Sequence, residues 1–78
     1  MAIVVNRRPS NKFPLTIRLG GKMWRFGGGF PHCNARKRDV ERVKDRHDAK
    51  YGRIVEFHEK FPDGWVRKTQ AIYLRDSK

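Results

Sequence analysis

The stretch from Leu15 to Phe26 (LTIRLGGKMWRF) constrains the fold more than any other part of this chain. Alternating residues flank Gly20-Gly21, a glycine pair that accepts the positive φ angles of a two-residue hairpin turn. With Leu19 opposite Lys22, Arg18 faces Met23, Ile17 faces Trp24, Thr16 faces Arg25 and Leu15 faces Phe26. Side chains alternate across a strand, so Leu15, Ile17, Leu19, Trp24 and Phe26 share one face. Thr16, Arg18, Met23 and Arg25 share the other. A one-residue slip would mix the two sets, so the register is strongly specified. The first face requires a core, and the second offers arginines outward.

The remaining chain adds one strand before this hairpin, and a helix and a second hairpin after it. Ala2 to Val5 is β-branched and predicts a first or edge strand. A polar loop over Asn6–Lys12 follows, with Arg7, Arg8 and Lys12 placed to lie along a phosphate backbone. Gly27-Gly28-Gly29 predicts a strained turn, a hinge or a close approach to a ligand. Asn34 suits an N-cap, and a helix is expected from Ala35 to Tyr51 with Gly52 as its stop. Its narrow apolar stripe is Val40 and Val43, extended by His47 and Tyr51. Arg53 to Arg75 reads as a second hairpin around Phe61-Pro62-Asp63-Gly64-Trp65. Pairing Phe61 with Trp65 sets Glu59 against Arg67, Phe57 against Thr69 and Val55 against Ala71. Asp76 to Lys78 reads as a polar tail.

The fold class is therefore α+β: an antiparallel sheet of four to five strands (β-β-β-α-β-β) with a single helix packed on one face. The 78 residues form one domain, 1–78. The expected core is Leu15, Ile17, Leu19, Trp24, Phe26, Phe30, Val40, Val43, Val55, Phe57 and Trp65.

Charge bounds the partners. The formal net charge is +11, from 19 Lys and Arg against 8 Asp and Glu. It is uneven, since no acid precedes Asp39. A polyanion is the natural partner of such a chain, and nucleic acid, DNA or RNA, is the commonest. No stretch pairs a basic face with a broad apolar one, so a membrane surface is not expected. Met1 to Val5 is too short for a signal peptide, and the single Cys33 fits a reducing, cytoplasmic compartment.

Catalytic chemistry lacks its parts. Cys33 with His32, His47 or His58 matches no zinc-ligand spacing, so no metal and no cofactor is expected. Cys33 beside an N-cap has a reason for a lowered pKa, but no base or oxyanion donor accompanies it. His47 reads as a half-buried packing residue. Glu56 and Glu59 fall on opposite strand faces and form no acid–base pair. Gly27 to Gly29 completes neither a P-loop nor a dinucleotide motif. Arg25 to Phe30 resembles the aromatic RNA-recognition octamer in outline, but that fold needs two helices and only one is visible. No small-molecule substrate is expected.

The expected function is nucleic-acid binding with weak sequence selectivity. Arg18, Lys22 and Arg25 on the hairpin would contact phosphates, extended by Arg7, Arg8 and Lys12 in the loop. Arg36, Lys37, Arg38 and Arg42 at the helix start would continue the track. The hairpin aromatics fall on the buried face, which favours duplex or structured RNA over single strands. The alternative is a protein–protein module docking on an acidic surface of a larger assembly. By size, a phage or mobile-element inhibitor of the anti-CRISPR type, or a small ribonucleoprotein subunit, would look alike.

Overall fold

The computed structural model describes residues 2–76; Ser77 and Lys78 of the expected tail lie outside the described residues. The elements are β1 (Ile3–Arg7), β2 (Thr16–Leu19), β3 (Lys22–Phe30), α1 (Lys37–His47), β4 (Tyr51–Lys60) and β5 (Val66–Arg75). Both hairpins keep the register read from sequence, residue by residue where each lies in the strands. The first strand extends two residues further than expected, so Asn6 and Arg7 belong to it rather than to the loop.

The strands form one sheet in the order β1-β4-β5-β3-β2, curled into a half-barrel. It is mixed rather than antiparallel, because β1 runs parallel to β4. The reason is the connection. β1 ends and β2 begins at the same end of the sheet, on opposite edges, so residues 8–15 bridge the open side of the curl. That bridge sets Phe13 on the inner face, where its ring stacks on Phe26 at 5.6 Å and tilts against Phe57 at 5.9 Å.

Two cores result, where the sequence pointed to one. The inner face of the curl buries Trp24, Val55, Phe57, Ala71 and Tyr73, with Ile17, Leu19 and Phe26 packed against them. The helix lies on the outer face instead, where Val40 and Val43 meet Ile72 and Leu74. β5 is central, so successive residues are buried on alternate faces, and it carries both cores. Two expected core members are exposed. Leu15 precedes β2 and is 80% exposed, while Trp65 sits past the strand end and is 62% exposed against Phe61.

The glycine run is part of β3, with a bulge between Phe26 and Gly28. What approaches these glycines closely is protein. A Cβ on Gly27 would lie 2.9 Å from Leu74 and Val43, and one on Gly29 2.6 Å from Phe13. The run therefore admits the helix on one face and Phe13 on the other.

The helix is shorter than expected at both ends. Arg36, not Asn34, is the N-cap, and its amide donates to the Asp39 carboxylate at 2.9 Å. Asp48 ends the helix in the left-handed region at φ 51°, a conformation that Asp tolerates. Tyr51 and Gly52 consequently belong to β4, and His47 is exposed rather than half-buried.

Tyr73 ties the bridge to the inner core by donating its hydroxyl to the Pro14 carbonyl at 2.7 Å. Burial pushes its phenol up to about 12 against the opposing charge of Arg7, so it remains a neutral donor. Tyr73→Phe keeps the ring and loses that bond. Urea unfolding is expected to show a loss of about 1 kcal/mol with an unchanged m-value.

Candidate nucleic-acid interface

The arginines of the first hairpin do not form one open face. Arg18 is exposed on the helix side of the sheet. Arg25 shares that side but grips Asp76 through two bonds, at 2.8 and 3.4 Å. Lys22 alternates with Met23 and pairs with Leu19, so it stands on the inner side with Trp24.

The loop cations separate as well. Arg7 is a core residue: its guanidinium lies 4.3 Å from the Phe57 ring centroid and 2.7 Å from the buried Glu59 carboxylate. Arg67 holds the other oxygen of Glu59 at 2.6 Å, and the Ser10 amide donates to the same carboxylate at 3.3 Å. Burial raises the Glu59 pKa, but the Arg67 hydrogen bond and the charges of Arg7 and Arg67 outweigh it. The net direction is downward. Arg7 is thus committed to the fold. Lys12 stays exposed at this end of the half-barrel, and Arg8 is exposed without an ion pair among the described residues.

The cations of the helix start are more open. Arg36, Lys37 and Arg38 are exposed and form no ion pair among the described residues, whereas Arg42 stands 4.0 Å from Asp39. A hydrogen-bond chain anchors this end of the helix segment to the sheet. Ala35 donates to Gln70 at 3.0 Å, and Gln70 donates to Glu56 at 3.1 Å. Glu56 lies 2.6 Å from His58. The bonds from His58 and Gln70 hold the Glu56 carboxyl below its usual range. Cys33, in the turn before the helix, is shifted opposite to expectation. Burial and the charge of Glu56 push its thiol up, against the weaker pull of Lys68.

Two recesses lie at the end of the molecule where β1 and β4 begin. A groove of about 560 Å³ runs beside the helix start, lined by Arg36, Lys37 and Arg53 among others. The mouth of the half-barrel, about 260 Å³, is lined by Lys22, Arg53, Arg75 and Trp24. Arg53 lines both. Glu41 is the one acid lining either recess among the described residues, and Lys44 holds it at 3.4 Å. The cationic track therefore runs from Lys37 and Arg36 through Arg53 to Arg75 and Lys22.

Sequence reasoning missed Arg53 and Arg75. Alternation places them on the face of Val55 and Tyr73, but only the pairing of β3 with β5 brings them beside Trp24. Stacking aromatics are also exposed, contrary to expectation. Trp65 is 62% and Tyr51 43% exposed, and Arg75 lies 4.5 Å over the Tyr51 ring.

Among the described residues no helix is long and apolar enough to cross a membrane, and no three His, Cys, Asp or Glu side chains gather as metal ligands. Comparison with protein-family models, curated proteins and solved structures finds no match to the chain.

Proposed function

We propose that this protein is a small, non-catalytic nucleic-acid-binding module of the cytoplasm, contacting phosphates with weak sequence selectivity. The observation that carries this reading is the placement of Lys37, Arg36, Arg53, Arg75 and Lys22 in two recesses that share Arg53. Glu41, the one acid lining them among the described residues, is already held by Lys44. Cations held near one another without carboxylates repel, and a phosphate backbone supplies the missing charge. Arg38 and Arg8 extend the basic surface, and Tyr51 offers an apolar contact. DNA and RNA are both admitted by such contacts, since neither track nor groove reads base edges.

A second reading draws on Trp65. An exposed tryptophan supported by Phe61 at a hairpin tip is the sort of anchor on which protein interfaces turn. In that case the module docks on an acidic protein surface, as an inhibitor of the anti-CRISPR type or a ribonucleoprotein subunit would.

Fluorescence anisotropy with labelled duplex DNA, single-stranded DNA and duplex RNA separates the two. Binding in the micromolar range at about 100 mM salt is expected. The double variant Lys37→Glu/Arg53→Glu should weaken it at least about tenfold, whereas Arg18→Glu/Arg46→Glu, with as many charges reversed off the track, should cost less. Equal losses in both variants would refute the track. Absence of binding to all three ligands at about 50 mM salt would refute the function.

A further inference from the structure

We propose that the mouth of the half-barrel is a binding site for a phosphate dianion. This deepens the reading above, and rests on it only in naming a strand end as one source of that phosphate.

Three cations, Lys22, Arg53 and Arg75, line the recess, and no acid among the described residues lines it with them. Donors are in surplus there. Trp24 is only 6% exposed, and its indole Nε1–H has no acceptor among the described residues. The Nε–H of Arg75 is likewise buried without a partner among the described residues. Buried donors normally find an acceptor, so two of them at one cationic recess point to an anion that supplies it.

The arginines are already oriented. Arg75 lies 5.3 Å from the Trp24 ring centroid and 4.5 Å from that of Tyr51, and Arg53 lies 5.8 Å from Trp24. Stacking occupies the planar faces of a guanidinium and leaves its in-plane N–H donors available to a tetrahedral oxyanion. In Arg75 one Nη1 donor reaches the Asp76 carbonyl at 3.4 Å, and its Nε–H remains.

The recess favours a phosphate with a free end. Its lining includes Trp24, a buried member of the inner core, so the recess ends against that core. A phosphodiester within a strand must continue on both sides, so it can meet these cations only from the rim, as part of the track. A terminal monoester or free orthophosphate enters end-on, and its two charges match the three cations better than one does.

The test follows the Trp24 indole N–H in ¹H–¹⁵N spectra of the whole protein during titration with sodium phosphate, against sodium chloride of equal ionic strength. Saturable movement of Trp24 is expected with phosphate alone, while the indole of Trp65, at the far hairpin tip, stays still. Lys22→Gln and Arg53→Gln replace exposed side chains and should each weaken the phosphate response at least about fivefold. A parallel arm compares oligonucleotides carrying a terminal phosphate or a hydroxyl. Tighter binding of the phosphorylated strand assigns the site to strand ends. Equal binding, with orthophosphate still moving Trp24, assigns it to free phosphate or a mononucleotide; both support the dianion site. No phosphate-specific movement up to about 50 mM, or Trp65 shifting in step with Trp24, would overturn it. Nucleic-acid binding that persists in that case leaves the broader function standing, and a phosphate response without such binding leaves only the site.

Discussion

Glu59→Gln is expected to destabilise the fold by about 3–5 kcal/mol, because it leaves Arg7 and Arg67 charged with no counterion beside the inner core. The glutamine keeps the shape and an acceptor, so packing is nearly unchanged and the loss reports the charge. Glu59 is fully buried, and the Arg7 side chain is only 15% exposed, so water cannot take over the pairing. Urea unfolding monitored by circular dichroism measures it. The same residue sets the acid limit. Its folded pKa lies below the ordinary 4.5, so the unfolded chain binds the proton first as pH falls. Its contribution is complete above about pH 4.5 and is lost as pH drops through the folded value. In Glu59→Gln that part of the acid sensitivity should vanish. A variant as stable as the parent at pH 7 would show that the two arginines do not need the carboxylate.

Phe57→Ala should cost a comparable amount, about 3–5 kcal/mol. Phe57 is 1% exposed, sits between Phe13 and Tyr73, and forms the floor under the Arg7 guanidinium. Truncation opens a cavity that the curled sheet cannot collapse around, and it frees Phe13 from the bridge of residues 8–15. Phe57→Leu retains most of the volume and should cost much less, which separates cavity formation from loss of the aromatic contact. The Glu59 and Phe57 effects should not add, since both substitutions act on Arg7. The double variant, read by thermal unfolding, is expected to lose less than the sum.

The local structure was legible where one rule decided it. Gly20-Gly21 and Pro62-Asp63-Gly64 fixed both hairpins, and alternation then fixed every facing pair. Strand order was not legible, because no local signal says that β3 lies against β5 or that β1 joins beside β4. From that one gap the main corrections follow. The helix was assigned to the hairpin's apolar face, whereas the outer residues Ile54, Ile72 and Leu74 claim it. Arg7 read as a loop cation because Glu59 and Phe57, its partners, are about fifty residues away in sequence. Alternation and turn pairing put Leu15 and Trp65 in the core, but each lies one residue before a strand begins and is exposed.

The site was legible in kind and only partly in place. Charge pointed to a polyanion, and Arg36, Lys37 and Lys22 lie on the track that supports that reading. Arg53 and Arg75 stand outside the expected set because they lie on the more apolar face of the second hairpin, that of Val55 and Tyr73. Gly27 to Gly29 suggested a ligand cradle, and the structure brings Val43, Leu74 and Phe13 against it instead.

The salt dependence of duplex DNA binding tests the central claim most directly. A track of five cations engaging phosphates predicts that log K falls against log salt with a slope of about −4 to −5. A slope near zero, or one unaltered by Lys37→Glu/Arg53→Glu, would contradict it.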